Sequence, residues 1–221
     1  MSKKNARWRK LDNAAKLYSA ASNKKDTRVF RFYCELKEEV NPKALQEALN
    51  QTIETFPTFL MVLRKGFFWH YLEPCNLRPI VKEEYKEPCS RLYIRDKKTL
   101  LFEVTYYKKR INFEVFHVLT DGTGATEFLK ELVKNYLYLV HKEEGLEQIT
   151  LLPEDMTLQD QEDDSFLKYY SKNQKRPKKR KLNAFQIRRK KKDGNHLHVH
   201  ESVVSVQAVL KRSRELGVSM T

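Results

Sequence analysis

Apolar and polar positions change their period several times along the chain, and each change marks an element. Arg28 to Lys37 (Arg-Val-Phe-Arg-Phe-Tyr-Cys-Glu-Leu-Lys) is rich in aromatic and β-branched residues and predicts a strand. Asn41-Pro42 follows as a helix start, with asparagine as the cap and proline in the first turn. Leu45, Ala48, Leu49, Thr52, Ile53 and Phe56 then recur at three- and four-residue spacing, the mark of an amphipathic helix that Pro57 stops. Thr58 to Arg64 and Phe67 to Leu72 predict a strand pair around Lys65-Gly66. Leu100 to Tyr107 and Ile111 to His117 predict a second hairpin across Lys108-Lys109-Arg110. Between them, residues 74–98 hold three prolines and two cysteines and read as a long loop with short extended pieces. The strongest helical stripe comes next: Ala125, Phe128, Leu129, Leu132, Val133, Tyr136, Leu137 and Val140 share one face, and Gly145 is its expected stop.

From Pro153 the pattern dissolves into charge. Glu154 to Asp164 carries six acidic residues in eleven positions, and Lys172 to Lys192 carries twelve Lys or Arg in twenty-one. Such blocks are solvated excursions rather than core. Order is expected to resume at His196, with a strand to about Val206 and a last helix near Val206 to Leu216 whose apolar side holds Val209, Leu210 and Leu216. The expected division is therefore a subdomain over 1–152, a charged linker over 153–195, and a strand and helix over 196–221 that lead towards a further subdomain. The closing Gly217-Val-Ser-Met-Thr221 reads as a chain stopping mid-fold.

Composition narrows the class. The 221 residues are 40% hydrophobic and 11% aromatic, enough for a packed core. No stretch approaches the roughly 18 uninterrupted apolar residues of a membrane helix. The basic N-terminus has no apolar run behind it, so a secretory signal is not expected and a cytoplasmic location is. Cys34, Cys75 and Cys89 are odd in number and lack C-x-x-C spacing, which points to free thiols rather than a disulfide framework or a zinc site. The net charge of +14 suits nucleic acid, an anionic membrane surface or an anionic ligand.

The chemistry concentrates in Phe116-His117-Val-Leu-Thr-Asp121-Gly122-Thr-Gly124, an H-x-x-x-D-G pattern where a strand gives way to a helix. Strand parity places His117 on the side of Ile111, Phe113 and Val115, the side expected to be buried. Histidine titrates near neutrality, so a neutral imidazole here suits a general base that accepts a proton from a hydroxyl or amine. Asp121 is placed to organise the turn or to cap the helix. Gly122 is expected to let the backbone fold back tightly. The plainer reading is a satisfied structural histidine followed by ordinary Thr-Asp-Gly turn chemistry.

The order strand, helix, strand pair, hairpin, H-x-x-x-D-G, helix resembles the first half of the chloramphenicol acetyltransferase and peptide-synthetase condensation-domain superfamily. Further stretches resemble its alcohol-acetyltransferase-like branch: Leu11-Asp-Asn-Ala-Ala-Lys-Leu-Tyr18, Phe56-Pro-Thr-Phe59, Phe67-Phe-Trp-His-Tyr71, Phe113-Glu-Val-Phe-His117 and Leu216-Gly-Val-Ser-Met-Thr221. The resemblance implies an α/β fold, an α+β two-layer sandwich with a mixed sheet flanked by helices, forming one subdomain of a two-subdomain enzyme. It implies a tunnel between the subdomains and acyl-CoA as co-substrate, with no bound cofactor or metal. It also implies a hydroxyl or amine acceptor, His117 as the base, and Asp121 as an ion-pair partner that shapes the loop. Two departures stand out. Phe116 occupies the place of the first histidine that many members have, and the arginine that would pair with Asp121 has only Arg28 and Arg64 as candidates. The far wall of the tunnel belongs to the missing C-terminal subdomain, so the isolated chain is expected to be inactive and its bare inter-subdomain face to favour self-association.

The basic tract has three readings: a solvated loop balanced by the acidic run, a nucleic-acid patch, or a grip on coenzyme A phosphates through Lys178, Lys179 and Arg180. Only Phe185 is interleaved, so base stacking, and nucleic acid with it, is not the expectation. His196, His198 and His200 alternate on one strand face, but with no Cys or carboxylate to complete a site they read as structural or surface residues. The rival to an acyltransferase is a non-catalytic binding module built on the basic tract.

Overall fold

The computed structural model describes residues 8–67, 69–95, 97–142, 199 and 201–219. Along these the chain runs β1 (Arg9–Lys10), α1 (Asn13–Ala21), β2 (Val29–Glu35), α2 (Pro42–Thr55), β3 (Met61–Lys65), β4 (His70–Pro74), β5 (Lys82–Glu83), β6 (Phe102–Tyr107), β7 (Arg110–Phe116), α3 (Gly122–Val140) and α4 (Val206–Leu216). Two sheets form among the described residues. The main one has the order β2-β7-β6-β5, antiparallel except for the β5–β6 pair, and so is mixed; the smaller has the order β1-β4-β3. The fold is α/β, as expected.

Helices α2 and α3 form as their stripes predict. Asn41 caps α2 by accepting from the N–H groups of Lys43 and Ala44, and Leu45, Ala48, Leu49, Thr52 and Ile53 are buried. The two helices lie against each other. Thr52 shows how a polar residue sits in that seam: its hydroxyl donates to Ala48 O at 2.7 Å and accepts from Asn135 Nδ2 at 3.1 Å. The Tyr136 hydroxyl reaches back to accept from Asn41 N–H at 2.9 Å.

One face of the main sheet carries Ile111, Phe113 and Val115 with their register partners Phe102 and Val104. It meets α3 through an aromatic cluster in which Phe128 stacks on Phe113 at 4.6 Å and on Phe59 at 4.4 Å between ring centroids. Each such ring removes a large apolar area from water, about 1.5–3 kcal/mol per side chain. The opposite face is also covered, so Asn112, Glu114 and Phe116 are buried as well. That is why β7 reads as a near-continuous core strand and not as a clean alternation.

Several elements differ from expectation. Pro57–Phe59 is a turn of 3-10 helix, since Pro57 has no N–H to give a strand ladder and its φ fits the first position of a helical turn, and the strand starts only at Met61. Its partner is shifted to His70–Pro74. Strand β7 stops at Phe116, one residue before His117. The expected strand from His196 to Val206 is not found at Val199 or over 201–205. Those residues are exposed, and among the described residues no neighbouring strand supplies the partner that a strand needs. Helix α4 spans the expected residues and ends on Gly217, whose φ of 63° fits the left-handed C-cap. No helix of the described residues is long and apolar enough to cross a membrane. Gly145 and the charged tracts lie outside the described residues.

Candidate functional site

His117 begins where the β7 ladder ends. Its backbone N–H donates to Arg28 O at 3.0 Å, which ties it to the entry of β2. Arg28 holds φ at 54°, a left-handed conformation that costs a non-glycine residue about 1 kcal/mol or more. The bend sets the start of β2 so that Phe30, in register with Val115, lies on the side from which the His117 ring projects.

The half-buried imidazole is held between two aromatic rings. Tyr18 of α1 stacks on it at 4.1 Å and 15° between planes, and Phe30 tilts against it at 4.5 Å and 48°. Helix α1 can present Tyr18 because Asp12 caps it, accepting from Ala15 N–H at 2.6 Å, while Leu11 and Ala15 anchor it in the core. His117 Nδ1 is buried without a hydrogen-bond partner among the described residues, and so are Ser19 Oγ and Arg28 Nε on the adjoining residues. Buried polar atoms without partners are rare and costly. The unsatisfied Nδ1 weighs against a satisfied structural histidine.

The rest of the motif organises backbone. Asp121 is the N-cap of α3, its carboxylate accepting from Gly124 N–H at 2.9 Å. Among the described residues no ion pair joins it: Arg28 pairs with Asp26 at 2.9 Å and Arg64 with Glu73 at 3.1 Å. The tight turn expected of Gly122 is not found, and the close approach that needs a glycine lies at Gly124 within α3. Gly122 is the first residue of α3, it is not in the left-handed region, and an added Cβ would meet nothing within 4 Å. At Gly124 a Cβ would collide with the Thr120 hydroxyl. Lys178, Lys179, Arg180, His196, His198 and His200 lie outside the described residues.

The far face of the sheet holds a separate polar group. Arg31 bridges Glu84 at 2.6 Å and the buried Glu114 at 2.8 Å, and Cys89 N–H donates to Glu114 at 2.6 Å. The three cysteines are free thiols, partly buried, as expected. Burial pushes the Cys89 thiol up, and the Glu114 charge adds to that while Arg31 opposes it. A thiol raised in this way is a poor nucleophile.

The sequence reading missed Tyr18 and Phe30 as site residues. Asp12, a cap three residues before Ala15, was the available sign of the helix that carries Tyr18. The pairing of Phe30 with Val115 has no local sign, because register joins residues far apart in sequence.

No family model and no curated protein matches the chain. Solved structures do. The starter condensation domain of the rhizomide synthetase RzmA superposes with a TM-score of 0.52 at 13% identity, over 66% of this chain and 40% of that one. A substituted form of that domain in complex with C8-CoA gives 0.52 at 14%, over 65% and 38%. The first condensation domain of the calcium-dependent antibiotic synthetase, in complex with a substrate analogue, gives 0.51 at 13%, over 66% and 42%. At these identities the likeness is one of fold: the chain carries part of a condensation-domain fold. It spans about 40% of the length of these domains.

Proposed function

We propose that this chain is the N-terminal part of an acyltransferase that moves an acyl group from an acyl-CoA thioester to a hydroxyl or amine, in the alcohol-acetyltransferase-like branch of the fold and in the cytoplasm. The observation that carries the reading is the His117 imidazole, clamped between two rings with a buried nitrogen unsatisfied, at the end of a strand in a condensation-domain fold. The complex of a similar domain with C8-CoA supports a thioester donor.

In this reading His117 takes the proton from the acceptor, whose oxygen or nitrogen attacks the thioester carbonyl. The carbon–sulfur bond breaks, and the proton returns to the departing coenzyme A thiolate. Stacking fixes the ring plane, so the base is oriented before the acceptor arrives. Asp121 acts through the backbone by starting α3. The rest of the tunnel belongs to a C-terminal subdomain that the neighbours' greater length accommodates, and this chain alone has little activity.

The test uses the full reading frame that encodes the chain, with coenzyme A release from C8-CoA followed against a panel of alcohols and amines. His117→Ala should lower turnover about a hundred-fold, the usual contribution of a general base. Turnover that survives the substitution removes His117 from the mechanism.

A further inference from the structure

The small sheet ends in an exposed aromatic tip. Strands β3 and β4 pair from Met61↔Pro74 to Lys65↔His70, and a four-residue connection, Gly66 to Trp69, closes them with Gly66 N–H donating to Trp69 O at 2.7 Å. Phe67 is 92% exposed and Trp69 60%. The patch continues down the sheet: Gly66 faces the Tyr71 ring, and Trp8, 55% exposed, packs edge-on against Tyr71 at 6.1 Å. Leaving rings this size in water is unfavourable, and several exposed rings at one end of a sheet mark an interaction surface.

Two lysines flank the tip. Lys65 is in register with His70 and Lys10 with Tyr71. Burial, with the charges of Lys65 and Arg95 beside it, holds the His70 pKa down. Glu73 on β4 is paired with Arg64.

We infer that this hairpin tip is a shallow-insertion surface for an anionic lipid bilayer. Rings enter the boundary between headgroups and acyl chains while Lys65 and Lys10 meet lipid phosphates and carboxylates. The shape favours lipid over nucleic acid, since bases stack on platforms along a charged groove, whereas these rings stand at the end of a hairpin.

Trp8 and Trp69 are the chain's two tryptophans, so its tryptophan emission, excited apart from the tyrosines, reports on this end of the sheet. The experiment titrates the intact chain with vesicles of phosphatidylcholine, or of phosphatidylcholine and phosphatidylserine at about 7:3, a composition with the anionic character of a cytoplasmic leaflet. Emission should shift to the blue with the anionic vesicles and be quenched by lipids brominated along their acyl chains. Phe67→Ser keeps both reporters and, being at an exposed position, the fold, which circular dichroism checks. It should lower partitioning about ten-fold, the effect of losing roughly half the burial of one phenylalanine. Adsorption without blue shift or quenching, equal in Phe67→Ser, assigns binding to the basic tract and overturns the inference. A blue shift with oligonucleotide but with no vesicle overturns it too.

Discussion

The His117 ring is positioned by aromatic surfaces and by one backbone hydrogen bond, with no side-chain hydrogen bond among the described residues to orient it. A base held in this way keeps its plane, and only a half-turn about Cβ–Cγ preserves the stack while exchanging its edges, so the stack and the incoming acceptor together set the productive geometry. Tyr18 is therefore a positioning residue in the proposed reaction. Tyr18→Phe keeps the stack and should keep turnover, while Tyr18→Leu removes it and should lower kcat about ten-fold with little change in KM, as expected for a loss of orientation rather than of binding. If both substitutions cost the same, the hydroxyl and not the stack is what matters. Steady-state kinetics of the full reading frame separates the two.

At the scale of elements, β7 carries most of the argument because both of its faces are buried. Its aromatic face builds the core with α3. On its polar face Glu114 stands in register with Glu103, two carboxylates side by side. Such a pair is tolerable only if each is neutralised. Arg31 serves Glu114, while Lys86 and the Tyr85 hydroxyl serve Glu103, and together they fasten residues 82–89 over the sheet. With the Glu114 side chain at 3% exposure, Arg31→Leu leaves a buried charge uncompensated and should cost about 3–5 kcal/mol in urea unfolding. Adding Glu114→Gln removes that charge but keeps an acceptor for Cys89 N–H, and should recover most of the loss. A cost under about 1 kcal/mol for the single variant means the bridge contributes little. Legibility follows the same physics. Helices α2 and α3 were readable because a long apolar stripe repeats often enough to reveal its period. Helix α1 was not, since Ala15 is its one buried residue, and neither was β5, two exposed residues ordered by parallel pairing with β6. His117 was readable from its motif. The rings that hold it were not, because they arrive through register and docking.

For the whole molecule, the last question is what α4 packs against. It is amphipathic, yet none of its residues is buried. Val204, Ala208, Val209, Leu216 and Val218 line one concave apolar surface along it, and among the described contacts its segment meets the main sheet through the Arg110–Glu201 bridge at 3.2 Å. That bridge is surface-exposed and worth at most about 1 kcal/mol. We propose that in the isolated chain this apolar stripe docks on a second copy of itself. Sedimentation should show concentration-dependent association. Val209→Asp with Leu216→Asp places two like charges on the stripe and should return the chain to a monomer, leaving the fold of residues 8–142 intact by circular dichroism. Phe67→Ser should leave the association unchanged, because the aromatic hairpin is a different surface with a different partner. A chain that stays monomeric at high concentration has α4 covered from within, and the apolar stripe is then no interface.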